Sequence, residues 1–501
     1  MSAEVRKSTV KISKPIYEGK GQTVCQADII VPDTMPDCLK VLQVEGRAIT
    51  ESRMITKGKA SVRGRVECGI LYVPENAGGV RCINNSIPFA YSENVAEAED
   101  KMFFETKCEV KHLEFQVANS RKINVKAIVE TEGKVTGSQE IQFVSTAAGE
   151  GVEMKTEKFA CRNRVICKTL DFDVSESVSM PGNAETIIKT YGEFKSRDIK
   201  IINNKVVAKG EICISIMYKA EGESIDVLRA AIPFTEILDA EGINDSQQWE
   251  IDYELKDVSA RLAEGEGGKE ARCTISVEVS VCSDEILEFE GVTDIYGTEK
   301  MLMPHKEKIT LDHYPERVSA KLDVREIVKP SDEAPPVSKV FAALVKPYSV
   351  QCFKASNGVK TEGELQCSVM YISEKEDEMV HTEVFNLPFA VTTDMCGDGK
   401  LKAEVKPGMS EYSISGNSIE LRIPVEVVTK CTKTMEKEVV TEVKEQEMCE
   451  GNRPAMVLCF VQKGDSVWDI AKRYHSRICD IERVNKISGD EIREGMMLLI
   501  P

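Results

Sequence analysis

Cysteine and histidine are the residues with the widest chemical reach in this sequence: there are 17 cysteines and 5 histidines among 501 residues. A zinc centre needs such ligands in clusters. No Cys-x-x-Cys pair occurs, the closest two thiols are Cys161 and Cys167, and no two of His112, His305, His313, His381 and His475 are neighbours. The spacing therefore predicts no metal centre. A disulfide framework is not expected either, because the N-terminus MSAEVRKSTVKISKP has no apolar export segment, and most of the thiols are expected to be reduced and buried. Carboxylates are too numerous for any two to be singled out as an acid–base pair. The phosphate-cradling, zinc-hydrolase and nucleophile-elbow motifs are missing. Glu264-Gly265-Glu266-Gly267-Gly268-Lys269 is glycine-rich, but no Ser or Thr follows the lysine and the stretch falls between two strands, so it reads as a hairpin loop. His475 has no evident carboxylate or thiol partner and is expected on the solvated surface. No catalytic residue, metal or cofactor is predicted, and an enzyme is the weakest of the three function classes considered.

The elements that would have to position any site are repetitive. Val62, Gly64, Val66, Cys68, Ile70 and Tyr72 share one face of a period-two segment, with Arg63, Arg65 and Glu67 on the other. The same strand returns as Ala208, Gly210, Ile212, Ile214, Ile216, Tyr218, and again as Thr361, Gly363, Leu365, Cys367, Val369, Tyr371. Glycine and tyrosine are eight residues apart in every copy. Each copy then ends an apolar run in Pro-Phe, at Pro88-Phe89, Pro233-Phe234 and Pro388-Phe389, and a further alternating strand follows. Cys68 and Cys367 stand where the second copy has Ile214, so they read as core positions. The tyrosines read as core with the hydroxyl near a sheet edge, and the glycines as bulges or close backbone approaches. Gly46 and Gly192 each precede the strand glycine by 18 residues, whereas the third copy has Val345 there. The proline-punctuated loop Pro32–Asp37 is expected to lead into a short helix at Cys38–Leu42.

Residues 456–501 read differently. Val457, Cys459 and Val461 alternate as a strand. Ser466 pairs with Asp469 as a capping box, and Val467, Ile470, Ala471 and Tyr474 make one apolar helix face. Ser476 is expected to cap a second helix burying Ile478, Ile481 and Val484, closed by Asn485, before a last strand at Met496–Ile500. The predicted fold is mainly β: three tandem β-rich domains over 1–150, 151–300 and 301–445, then a small βααβ domain over 455–501.

Acidic residues outnumber basic ones, 83 to 65, a formal charge of −18. Such a chain repels phosphate backbones and anionic lipid, so neither nucleic acid nor membrane is an expected partner. No stretch is long and apolar enough for a membrane span, and the default compartment is the cytoplasm.

The final module resembles the LysM domain in Val461-Gln462-Lys463-Gly464-Asp465-Ser466-Val467-Trp468-Asp469-Ile470-Ala471, Tyr474, Ile481, Asn485, Ile487, Ile492, Gly495 and Leu498–Pro501, with serine at 466 where threonine is usual. The resemblance implies a groove for N-acetylglucosamine-containing glycan between two loops. One lip is Gly464, Asp465, Ser466, Val467 and Trp468, and the other is Asn485, Lys486, Ile487, Ser488 and Gly489. Trp468 suits either the fold or a ligand. The repeats resemble the SPOCS domain (DUF3794) of endospore-forming Firmicutes in Ile29-Ile30-Val31-Pro32, Met35-Pro36-Asp37, the Gly-to-Tyr strand and the Ile-Pro-Phe ending. SPOCS repeats followed by LysM imply a non-enzymatic scaffold of spore-coat assembly. It would tether the basement layer, built on a SpoIVA-like morphogenetic ATPase, at the forespore surface in the mother cell. SPOCS surfaces and sheet edges, and a LysM groove anchored by Trp468 or Ile487, would make the protein contacts. The competing reading is a peptidoglycan-binding wall protein acting through LysM.

Overall fold

The computed structural model describes residues 4–501 except 77, 246, 266, 314, 374–379, 448–455 and 490. The first repeat comprises β1 (Glu4–Ile30), β2 (Cys38–Thr56), β3 (Lys59–Pro74), β4 (Arg81–Asn94), β5 (Phe103–Asn119) and β6 (Lys122–Ala148). They form two antiparallel sheets, β1-β6-β5 and β2-β3-β4. The inward residues of β3 and β6 fill the space between the sheets, with Val62, Val66, Ile70, Tyr72, Ile123, Val125, Ala127 and Val129 all excluded from water. Alternation along each strand thus becomes a sandwich core.

The second repeat repeats this order with β7 (Val152–Ser179), β8 (Ala184–Ile202), β9 (Lys205–Ala220), β10 (Ile225–Asp239), β11 (Gln248–Gly265) and β12 (Gly268–Gly297), in sheets β7-β12-β11 and β8-β9-β10. The third has the same plan with its long strands interrupted: β13 (Met301–Asp312), β14 (Glu316–Val328), β15 (Lys339–Ala355), β16 (Gly358–Ile372), β17 (Val380–Thr393), β18 (Lys400–Pro407), β19 (Glu411–Ser415), β20 (Ser418–Thr432) and β21 (Thr434–Gln446). Its sheets are β15-β16-β17 and β14-β20-β18, with β19 beside β20, and β13 pairs β21. The region expected to be a short helix, Cys38–Leu42, is instead the start of β2, because Cys38 through Gly46 is paired along β3. Pairing with a neighbouring strand overrides the local helix signal here.

The glycine and Pro-Phe motifs prove to be one device. Gly64 lies directly opposite Phe89, Gly210 opposite Phe234 and Gly363 opposite Phe389. On the other side the neighbouring strand slips register at Thr50/Ser52, Phe194/Ser196 and Tyr348/Gln351. A Cβ at Gly64 would lie 2.2 Å from the Ile49 carbonyl oxygen, and one at Gly210 would lie 2.3 Å from that of Ser196. A bulged backbone therefore closes over a position with no side chain, and the phenylalanine ring covers it from the other strand. Gly46 and Gly192 have a different role: a Cβ there would meet Leu113 at 2.5 Å and Val258 at 2.9 Å, side chains of the crossing fifth strand. In the third repeat that strand is broken into β18 and β19, and Val345 packs on its own sandwich core.

Two hubs join the repeats. The outer ends of β1/β6, β7/β12 and β13/β21 extend as two-stranded ribbons whose apolar faces meet around Ile12, Phe143, Phe159, Leu311 and Val439, and again around Val144, Val292, Ile295 and Val440. At the second hub the three meander sheets converge. Leu71, Met217 and Met370, each immediately before a repeat tyrosine, are buried together with Phe341 and Ile188. Strand β4 leans on β8, β10 on β15, and β17 back on β2, so the three sandwiches close into a ring.

The last element group is β22 (Val457–Phe460), α1 (Val467–Tyr474), α2 (Ile478–Asn485) and β23 (Met497–Ile500), with β22 antiparallel to β23. Among the described residues no helix is long and apolar enough to cross a membrane.

Candidate functional site

The C-terminal module is built by short-range polar locks around a small core. The Asp469 N–H donates to Ser466 Oγ at 3.1 Å and the Ser466 N–H donates to Asp469 Oδ2 at 3.2 Å, the capping box that starts α1. Asp465 accepts from the Gln462 N–H at 3.1 Å and from Arg473 at 2.8 Å, and these two donors hold its carboxyl below the usual range. Gly464 turns with φ 89° in open space. Val467, Ile470, Ala471 and Ile481 fill the core with Cys459, Leu498 and Ile500. Asn485 spends its side chain on the fold: its amide donates to the carbonyls of Ile481 and Leu499 at 2.8 and 2.7 Å and accepts from the Leu499 N–H at 2.8 Å. Ser476 does not cap α2. Arg477 is the N-cap, without a side-chain bond, and the Ser476 hydroxyl donates to the Pro501 carbonyl at 2.6 Å.

The residues expected as a groove therefore divide. Gly464, Lys486, Ser488 and Gly489 are exposed, and Asp465 and Ser466 are half-buried. Nothing lies within 4 Å of a Cβ at Gly464 or Gly489. The second loop is shaped by Lys486 in the left-handed region at φ 55° and by the Gly489 N–H donating to Glu482 at 2.8 Å. Val467 is core, and Ile487 packs half-buried against that core.

Trp468 faces the ring. Its indole N–H donates to Asp294 on β12 at 2.8 Å, and its ring meets Tyr296 edge-on at 5.0 Å between centroids. Lys472, one turn on, reaches the same carboxylate at 2.7 Å, and His475 Nδ1 lies 2.9 Å from the Gly297 carbonyl oxygen. His475 is thus half-buried at the seat rather than on open surface. The Tyr296 hydroxyl donates to the Ser476 carbonyl at 2.8 Å. Burial alone would raise the Asp294 carboxyl, but the Lys472 ammonium, the Trp468 N–H and Lys306 outweigh it and hold the pKa below the ordinary carboxylate value. Trp468, Lys472 and the C-cap His475 recur at i, i+4, i+7, on a face of α1 that flanks its core stripe. That second periodicity is the sequence signal that marks a docked helix.

A second concave surface lies between repeats two and three, a cleft of about 890 Å³ walled by β8, β11, β14, β18 and β20, with Tyr191, Phe194, Tyr253, Leu322 and Met409 among its apolar surfaces. Burial pushes the Glu193 carboxyl beside it up to about 7, with Arg229 opposing only in part. Sequence reading did not find this cleft, since its walls come from strands of two different repeats that only the packed ring brings together.

Elsewhere the expected core positions are core. Cys68 and Cys367 are buried, their thiols pushed up to about 12 by burial. The Tyr72 and Tyr371 hydroxyls donate to the Pro36 and Pro335 carbonyls, both at 2.9 Å. The cysteines depart from the expected reduced, buried majority in two ways: Cys167 and Cys282 are joined as a disulfide, and among the other described cysteines, all free, Cys396 and Cys479 are exposed. The disulfide was not expected because 115 residues separate Cys167 and Cys282 in sequence and only strand register brings them together.

The fold defines a class, tandem β-sandwich repeats carrying a small βααβ module. Comparison with family models then places it. Residues 37–118 and 183–263 match the SipL, SPOCS domain model, and residues 461–501 match the LysM domain. The chain combines SPOCS domains with a C-terminal LysM domain, both non-catalytic domain families. Each SPOCS match spans the second to fifth strands of its sandwich. No curated protein and no solved structure matches the chain.

Proposed function

We propose that this chain is a non-enzymatic scaffold of spore-coat assembly, tethering the coat basement layer at the forespore surface by binding a SpoIVA-like morphogenetic ATPase. The observation that carries the reading is the outer face of the LysM sheet. Leu458 and Phe460 on β22, Met497 on β23 and the adjacent Met456 are each 55–64% exposed. β22 and β23 are paired residue for residue, with Phe460 opposite Met497, so these side chains form one apolar strip. A contiguous apolar strip of that kind suits a protein partner better than a sugar. The module is held on the ring through Trp468 and Asp294, so a partner bound to the strip is held to the whole three-sandwich body. The SPOCS edges and the cleft between repeats two and three supply further contact area.

LysM domains bind N-acetylglucosamine-containing glycans such as peptidoglycan, and the open loops at Gly464 and Gly489 support a second reading, a spore-associated peptidoglycan-binding protein. Pull-down of the full chain against the purified ATPase and against purified peptidoglycan separates the two. The scaffold reading expects ATPase retention that falls at least tenfold in Phe460→Asp, with unchanged thermal unfolding. Retention of glycan alone, undiminished in that variant, sinks it.

A further inference from the structure

The Cys167–Cys282 pair sits where repeats meet rather than inside a sandwich. Along β12, Ile275, Val277, Val279 and Val281 point into the core of the second repeat. Cys282 follows Val281 and so faces outward, on the side where Glu278 meets Arg53 of the first repeat at 2.8 Å. Cys167 lies directly opposite on β7, with 4.1 Å between Cα atoms. The equivalent pairs are Gln22 with Glu130 in the first repeat and Ser319 with Val428 in the third, so the thiols are not a repeat-core feature. Both sulfurs border a cavity of about 220 Å³ between the repeats. The Glu105 carboxylate of the first repeat lies 4.0 Å from Cys282 Sγ and pairs with Arg164 of the second at 2.9 Å. The register slip between Ser283 and Asp284, where ribbon meets sandwich, is the next step along β12.

These features set the pair apart from the other cysteines. Cys68, Cys273 and Cys367 are buried and have no thiol across the strand, whereas Cys167 is only half-buried and Cys282 lines the same opening. Nucleophilic exchange at sulfur requires that access.

We propose that Cys167 and Cys282 are a redox-modification site, interconverted between dithiol and disulfide in the folded protein by thiol–disulfide exchange with a low-molecular-weight thiol and its disulfide. In the oxidising direction the Cys167 thiolate attacks one sulfur of the small disulfide, forming a mixed disulfide and expelling one small thiolate. The Cys282 thiolate then attacks the Cys167 sulfur, closing the protein disulfide and expelling the second. The protein loses two electrons and two protons, and the small disulfide becomes two thiols. Glu105 is placed to receive the Cys282 proton. In the reducing direction two small thiols reverse both steps. The closed bond ties β7 to β12 at the point where Glu105 and Arg164 join two repeats, so the oxidation state sets how firmly that junction is held.

The test is differential alkylation of the native full chain, read by mass spectrometry, after equilibration in mixtures of reduced and oxidised glutathione. The expected result is joint labelling of Cys167 and Cys282 at the reducing end and joint protection at the oxidising end, with a mass lower by two hydrogens and with Cys68 and Cys367 unlabelled throughout. Amide exchange at 165–170 is expected to quicken severalfold on reduction. Cys282→Ser is expected to accumulate one glutathione on Cys167, and the wild-type titration stands without it should the variant fail to fold. Labelling of both cysteines at every ratio would show thiols that never pair, and protection until the chain is denatured would show a purely structural bond; either overturns the proposal.

Discussion

The ring and its LysM module are joined to their neighbours by opposite means. Within the ring, apolar side chains meet: Leu71, Met217 and Met370 are at most 2% exposed at one hub, and the ribbons supply aromatics and aliphatics at the other. The module is seated by directional contacts on one short stretch of β12, an indole N–H and an ammonium on Asp294, an edge-on ring pair, and a tyrosine hydroxyl on a carbonyl. Burial of apolar area is non-directional and large, and fully burying one such side chain stabilises by about 1.5–3 kcal/mol. A charge-assisted hydrogen bond contributes about 1.5–3 kcal/mol but is lost entirely when one partner changes. The contrast teaches that the three repeats behave as one body, whereas the module is an attachment whose seat depends on a few directional contacts to Asp294, Tyr296 and Gly297.

The largest test of that contrast is Leu71→Ala. Emptying a hub position shared by three sandwiches is expected to cost about 2–5 kcal/mol, read as a shift in the urea midpoint of a single transition for all three repeats. Separate transitions would break the comparison by showing that the repeats unfold independently.

Next comes Glu193. Its folded pKa, about 7, lies above the ordinary carboxylate value of 4.5. Between those two pH values the folded state holds a proton that the unfolded chain has released, so stability falls as pH rises through the window and stays low above it. Glu193→Gln is expected to abolish that slope and to stabilise the ring by about 3 kcal/mol at pH 8, measured by denaturant unfolding across pH 4 to 8. An unchanged slope would place the burial cost elsewhere.

The smallest effect sharpens the other side. Asp294→Asn removes the charge under Trp468 and Lys472, and the seat is expected to weaken by about 1–3 kcal/mol while the ring transition keeps its midpoint. Limited proteolysis between the ring and LysM should accelerate accordingly. Because the folded pKa of Asp294 is lowered, the seat's ionic contribution is present above the unfolded carboxylate pKa and fades as acid titrates the folded group. A variant that loosens ring and module together would erase the distinction.

Much of the repeat was legible before any coordinates. Alternation fixed the inner face of β3, β9 and β16, and spacing marked Gly64 and Phe89 as recurrent without revealing that they face each other. The LysM caps, Ser466 with Asp469, are local and were readable as such. The seat was harder. Trp468 has the same type and spacing whether it points at a ligand or at Asp294, 174 residues away. The hubs were harder still, since Leu71 reads as an outward position on an otherwise polar face until a second and third sheet arrive to cover it.

Sequence by itself determined what depends on neighbours along the chain: strand period, the glycine–tyrosine spacing and the cap of the first LysM helix. Tertiary structure decided what depends on neighbours in space. Leu71, on the outer face of β3, is buried because the ring closes over it. Cys167 finds Cys282 because antiparallel register sets them opposite, and Trp468 is committed to the ring because Asp294 offers a carboxylate there. Hydrogen bonds between adjacent residues follow from local geometry. Contacts between distant ones require the whole path of the chain, and no spacing rule contains that path.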